Sequence, residues 1–202
     1  MLGEVFQRFK SLILHELDAP IEEVLERIKR SAATYRKLVE ASFSKEGNLS
    51  RPEMFMYRIK ALDSNIAKSI ALAVLDEERK LTPEQINGVL DAVESWIVRR
   101  AIMQLSTKRY NYIFAEIVRV IRSSESFKVV DAVESHLKIQ TADTAFWPDD
   151  ETLRTELSTR NMYKRRARGR MILEAIEDHT RGWRKSKPDK NEQPQVQRMK
   201  FS

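Results

Sequence analysis

Glu94-Ser95-Trp96-Ile97-Val98-Arg99-Arg100-Ala101-Ile102 leads after three residues into Ser106-Thr107-Lys108-Arg109-Tyr110-Asn111-Tyr112-Ile113-Phe114. The run sets two adjacent arginines inside an apolar helical pattern, then a basic turn, then a second helix. In that second helix Tyr110, Ile113, Phe114, Ile117, Val120 and Ile121 recur at three-four spacing, the stripe of a core-facing amphipathic helix. Arginine is seldom buried alone, so Arg99 and Arg100 must be paired, snorkel over apolar surface, or reach outside the chain. Asp91, Ser95 and Arg99 share one helix line, while Arg100 sits one turn beyond Trp96. One arginine is therefore expected to be held by local polar groups and the other to lie over an aromatic ring. This locking of neighbouring helices is the favoured role, and a phosphate contact competes with it. Lys108 and Arg109, at the mouth of the next helix, are the fairer phosphate candidates.

Outward from this centre, nearly all of residues 3–181 reads as helix. Val5, Phe6, Phe9, Leu12, Ile13 and Leu14 predict a first short helix, and Pro20 suits the first position of the next. There Ile21, Val24, Leu25, Ile28, Ala32, Tyr35, Leu38 and Val39 predict a single buried face. Residues 43–50 read as a loop, Arg51-Pro52 opens another helix, and residues 66–75 suit a short central helix that is apolar on most sides. Thr82-Pro83-Glu84-Gln85 is a capping-box start for a helix reaching about residue 105, with Ser106 or Thr107 capping its successor. Short helices follow at about 127–138 and after Trp147-Pro148-Asp149-Asp150-Glu151, whose acids complement the helix dipole; the last spans 162 to about 180. No strand of convincing length appears. The expected fold is all-α: a single multi-helix domain of about eight or nine helices over residues 1–183. A flexible basic tail, residues 184–202, reads as a polar linker with Pro188 and Pro194 that leads toward a missing C-terminal domain.

The 202 residues include 36 Lys/Arg, 30 Asp/Glu, five Gly, six Pro and no Cys, a turn-poor, helix-rich composition that excludes disulfides, thiolate metal sites and a cysteine nucleophile. No secretory leader or membrane-length apolar run is apparent, so a soluble, cytoplasmic chain without membrane partners is expected. The net charge of +6 is unevenly placed: residues 160–187 hold ten Lys/Arg against three acids, a local balance of +7. Lys164, Arg165, Arg166, Arg168 and Arg170 form its heart. Such a cluster is either a nucleic-acid footprint or a solvated helix face.

Chemistry is otherwise scarce. His15, His136 and His179 stand apart from any metal-binding motif, and the helix dipole is a better account of Glu177-Asp178-His179 than a metal centre. No Gly-rich phosphate loop or serine elbow occurs. Asp149-Asp150-Glu151 lacks partner ligands, since consecutive helical residues diverge by about 100°. Catalytic, cofactor-binding and metal-ligating residues are all read as none. Trp147 and Tyr163 are expected core anchors.

Ser95-Trp96-Ile97-Val98-Arg99-Arg100, Thr107-Lys108-Arg109-Tyr110-Asn111-Tyr112-Ile113-Phe114, Trp147-Pro148-Asp149-Asp150-Glu151, and Tyr163 through Ile172-Leu173-Glu174-Ala175-Ile176-Glu177 together resemble a known family. They are similar to the helical middle of GmrSD-type modification-dependent restriction endonucleases, over about residues 4–180. The resemblance implies an N-terminal ParB-like domain with a DGQQR-type signature linked to nucleotide hydrolysis. It also implies a C-terminal HNH-like domain with an EHxxPQ-type signature that cuts DNA with a divalent metal. Neither signature is in this sequence, so no catalytic residue carries over. Nucleotide and metal would belong to the parent protein and not to this chain. The implied role is a non-catalytic bridge whose partners are the flanking domains and duplex DNA; Ser95, Arg99, Arg100, Tyr110, Asn111, Phe114, Trp147, Pro148, Asp150 and Tyr163 form its structural signature. The competing reading is a stand-alone helical module that binds an acidic partner. Oligomeric state is not legible.

Overall fold

A computed structural model describes residues 2–11, 20–43, 49–159 and 166–185. Tyr163, Lys164, Arg165, His15 and the linker beyond Lys185 lie outside the described residues. Among the described residues the regular structure is all helical: α1 (Leu2–Ser11), α2 (Ile21–Phe43), α3 (Arg51–Ala61), α4 (Lys68–Val74), α5 (Pro83–Ile102), α6 (Tyr110–Ser123), α7 (Val129–Lys138), α8 (Asp150–Thr159) and α9 (Arg166–Lys185). Single 3-10 turns at 65–67, 77–79 and 126–128 lead into or link these helices. No described helix is long and apolar enough to cross a membrane. The chain divides into two units, residues 1–36 and residues 37–202.

The first unit holds α1 and the N-terminal turns of α2. Pro20 lies just before α2, and its carbonyl accepts the Glu23 and Val24 amides at 3.1 and 3.2 Å. The single buried face expected for α2 is not formed. Val24 in the first unit and Leu38 in the second are buried, while Ile21, Leu25, Ile28, Ala32 and Tyr35 are exposed. Three-four spacing marks a stripe of apolar side chains; it does not say that this chain covers the stripe.

The second unit contains the core. Its helices start where side chains can satisfy the free amides of a first turn. The Ser50 amide donates to the Glu53 carboxylate at 2.8 Å ahead of α3. Thr82 and Gln85 exchange amide-to-side-chain bonds of 2.8 and 3.3 Å ahead of α5. Two helices close without glycine. Asp63 and Gln104 adopt left-handed φ values of 56° and 55°. The next amides then reach back, Ser64 to the Ile59 carbonyl at 2.9 Å and Leu105 to that of Arg100 at 3.0 Å. Gln104 thus ends α5 at Ile102, short of the expected residue 105.

Helix α5 is the axis of this unit and packs on α3, α4, α7 and α8; α6 packs on α4 and α7, and α9 on α3. Val89, Leu90, Val93, Trp96 and Ile97 of α5 are buried with Phe55, Ile59, Ile70, Val74, Val133 and Leu137. The α6 stripe is as expected, with Tyr110, Ile113, Phe114, Ile117 and Ile121 buried and Val120 half-buried. Ile66, expected in a central helix, lies in the 3-10 turn before α4 and is exposed, as is Phe127. Helix α9 runs on to Lys185, which places His179 inside the helix and removes the C-terminal dipole account of that residue.

Gly88 lets α5 and α7 approach closely. A β-carbon there would stand 2.9 Å from Val130 Cγ2, nearer than methyl groups approach. Alanine favours a helix by about 1 kcal/mol over glycine, whereas overpacking costs about 1–3 kcal/mol. Gly88→Ala is therefore expected to lower the free energy of urea unfolding by about 1 kcal/mol. In a Val130→Ala background the same substitution should become stabilising, and equal effects in both backgrounds would exclude this contact as the cause.

Candidate nucleic-acid interface and the arginine node behind it

The loop joining α7 to α8, residues 139–149, must find donors for its carbonyls, because part of it is buried: Ala145 is 1% exposed. One turn of α5 supplies them. Trp96 Nε1 donates to the Ala145 carbonyl at 3.0 Å. Arg100 Nη1 donates to the Phe146 carbonyl at 2.9 Å, and Nη2 to those of Ser106 and Asp143 at 3.0 and 3.3 Å. Arg99 Nη1 donates to the Pro148 carbonyl at 2.9 Å, while Nη2 pairs with Asp150 and Nε with Ser95 Oγ.

Arg100 is fully buried, and carbonyl oxygens and ring faces surround its charge. Its guanidinium carbon lies 5.1, 5.6 and 5.9 Å from the ring centroids of Trp96, Phe146 and Tyr110. Trp96, Tyr110 and Phe114 pack together in turn, with centroids 5.0 to 5.9 Å apart. Burying an ion costs several kcal/mol. Charge-assisted hydrogen bonds of about 1.5–3 kcal/mol each and ring contacts of about 0.5–2 kcal/mol each are enough to offset it. Burial also pushes the Tyr110 hydroxyl above its ordinary value, an effect that the Arg100 and Arg168 charges partly oppose.

Arg99 is held by polar groups and Arg100 lies over the Trp96 ring, as expected, but Arg100 also donates to three carbonyls and Arg99 stands 6.0 Å from the Trp147 ring, so the division is not exclusive. Of the two groups on its helix line, Ser95 holds Arg99 at 3.2 Å and Asp91 does not. Asp91 pairs with Arg51 of α3 at 2.6 Å, so Arg99 turns to the α8 mouth. A second clamp was not anticipated: Glu94, 8% exposed, lies between Arg51 at 3.0 Å and Arg58 at 2.6 Å, tying α3 to α5. An acid amid Leu90, Val93, Ile97 and Val98 was the signal available for it. Arg79 was also missed; it donates to the Arg122 and Ser124 carbonyls at the end of α6.

Asp149 accepts the Thr152 amide at 2.7 Å and so caps α8. With Asp150 given to Arg99, two of the three acids in this run have structural work. Among the described residues no group of three or more His, Cys, Asp or Glu is placed to hold a metal ion.

The DNA-contact candidates divide sharply. Lys108 and Arg109 are exposed just ahead of α6, with the Arg109 guanidinium 5.2 Å from the exposed Tyr112 ring. Arg166 is exposed at the start of α9. Arg168 is half-buried and donates to the Ala101 carbonyl at 3.0 Å, closing the C-terminus of α5. Arg170 pairs with Glu174 at 2.7 Å, and Glu174 also accepts the Tyr57 hydroxyl at 2.6 Å. Of the signature residues, Ser95, Arg99, Arg100, Tyr110, Phe114, Pro148 and Asp150 meet around the α7–α8 loop. Trp147 is half-buried against the core with Arg99 6.0 Å from its ring, and Asn111 is exposed. The chain matches no family profile, no curated protein and no solved structure.

Replacing Arg100 with Met strands three carbonyls and is expected to cost about 3–5 kcal/mol in urea unfolding; Arg99→Ala, whose partner Asp150 is exposed, should cost about 1 kcal/mol. Equal losses would sink this ranking. The backbone amide of Thr152, foremost, holds the Asp149 carboxyl below its ordinary value of 3.8. A carboxyl lowered on folding stabilises above its unfolded-state value, and that contribution is lost as pH falls through the folded one. The Thr152 amide resonance should therefore shift in acid below pH 3.8, and Asp149→Asn should abolish that titration.

Proposed function

We propose that this chain is the non-catalytic helical bridge of a DNA restriction endonuclease of the GmrSD type, cytoplasmic, and touching duplex DNA through exposed basic side chains. The supporting observation is convergence. Residues that carry the resemblance, spread from Ser95 to Asp150, meet at one buried node, where they stitch a loop and three helices together. A signature spent on closing backbone carbonyls suits an element whose task is to hold geometry. In this reading the flanking domains supply the chemistry, nucleotide hydrolysis on one side and metal-dependent cleavage on the other. This chain fixes their spacing and passes movement between them.

Lys108, Arg109 and Arg166 carry the DNA contact in this reading, together with Lys164 and Arg165. Arg168 and Arg170 contribute charge while serving the fold, so alanine at either one would confuse binding with stability. A Lys108→Ala/Arg109→Ala/Arg166→Ala variant avoids that difficulty. Fluorescence anisotropy with duplex DNA should show affinity falling with salt, and the variant should reduce the logarithmic salt slope by about one for each phosphate that it no longer neutralises. A salt-independent signal, or an unchanged slope, removes the DNA contact. The bridge itself is tested in the gene: DGQQR codons upstream and EHxxPQ codons downstream in the same frame support it, and start and stop codons tightly bracketing this segment overturn it.

A further inference from the structure

The outer face of α6 joins a row of cations to an open aromatic ring. Its inner stripe, Tyr110, Ile113, Phe114, Ile117 and Ile121, is buried, which turns Tyr112, Ala115, Arg119 and Arg122 outward. The Tyr112 ring is 58% exposed, and the Arg109 guanidinium stands 5.2 Å from its centroid. Lys108 and Arg109 precede the ring, while Arg119 and Arg122 follow it two and three turns along. Four exposed cations are thus strung over about 20 Å of chain. Glu116 is the one acid in α6, and it pairs with Arg119. Among the described residues neither Lys108 nor Arg122 has an ion pair.

Cations spaced along one helix face attract a polyanion, and each phosphate that they neutralise releases counterions. The ring decides which form of polyanion fits. A duplex keeps its base faces stacked inside and turns sugar and phosphate outward, so it gives an exposed ring nothing flat to meet. An acidic peptide would engage the cations and leave the ring idle. An unpaired strand splays its bases beside its phosphates, and an aromatic ring among cations is the platform on which such bases stack. The planar guanidinium of Arg109, already against the ring, extends that platform while keeping its charge for a phosphate.

We propose that the outer face of α6 binds an unpaired DNA strand, with one base stacked on Tyr112 and phosphates held by Lys108, Arg109 and Arg122. This rests on the DNA contact proposed above, with which it shares Lys108 and Arg109. Fluorescence anisotropy of the full 202-residue chain with a labelled oligothymidylate, beside a duplex of the same length, reads it directly. Tyr112→Ala should weaken binding of the single strand about tenfold and leave its salt slope unchanged, since stacking neutralises no phosphate. Tyr112→Phe should bind as the parent does, and duplex affinity should ignore both substitutions. The ring is exposed, so neither should alter the circular dichroism spectrum. Arg122→Ala should lower the single-strand slope by about 0.7, the value for one phosphate. A chain that does not bind the oligothymidylate, or binds it equally well after Tyr112→Ala, overturns the proposal; duplex binding in that case leaves the earlier reading standing. Binding of the single strand with none of the duplex removes the duplex contact and keeps this one. Displacement of the strand by an equal charge of polyglutamate also overturns it, by reducing the face to a general polyanion surface.

Discussion

The fold rests on the need to find donors for the carbonyls of one buried connection, residues 139–149. A loop that dips into a core brings peptide groups that no ladder satisfies, and each one left unmet costs as much as a lost hydrogen bond. Here the donors come from two adjacent arginines and a tryptophan on a single turn of α5. Their placement determines much else. Trp96 must stand one turn before Arg100 so that its ring receives the guanidinium, and Tyr110 must open α6 so that the cage has a further wall, which Phe114 backs. Asp150 must follow Pro148 closely so that Arg99 can hold carbonyl and carboxylate together.

Much of this was readable in the residues, for identifiable reasons. Helix starts at Thr82 and near Arg51-Pro52 were legible because capping is local chemistry, fixed within four positions. The α6 stripe was legible because a long clean periodicity admits few alternatives. That two neighbouring arginines in an apolar helix must find polar groups and ring faces followed from the cost of burying charge. Their acceptors were not legible, since a backbone carbonyl has no letter of its own and every residue carries one. Asp91 seemed the natural mate of Arg99 by helix spacing, but Arg51, forty positions earlier, reaches it instead. Spacing likewise could not say which apolar side chains of α2 become buried: Val24 and Leu38 do, whereas Ile21, Leu25 and Ile28 do not.

The basic balance has to be read with the same care. Six arginines that a composition counts as surface charge are engaged in the fold: Arg51 and Arg58 on Glu94, Arg79 at the end of α6, Arg99 at the mouth of α8, Arg100 in its cage, and Arg168 at the end of α5. Within the basic run of residues 160–187, Arg168 is engaged at the end of α5 and Arg170 is paired with Glu174.

Arg168 has one more consequence. It reaches from the first turn of α9 to the last turn of α5, while the far end of α9 leads out to the C-terminal tail. A pull on that tail would run back along α9 to a guanidinium seated against the end of the central helix. Tension would arrive beside the Gln104 turn before it dispersed through the packed interior.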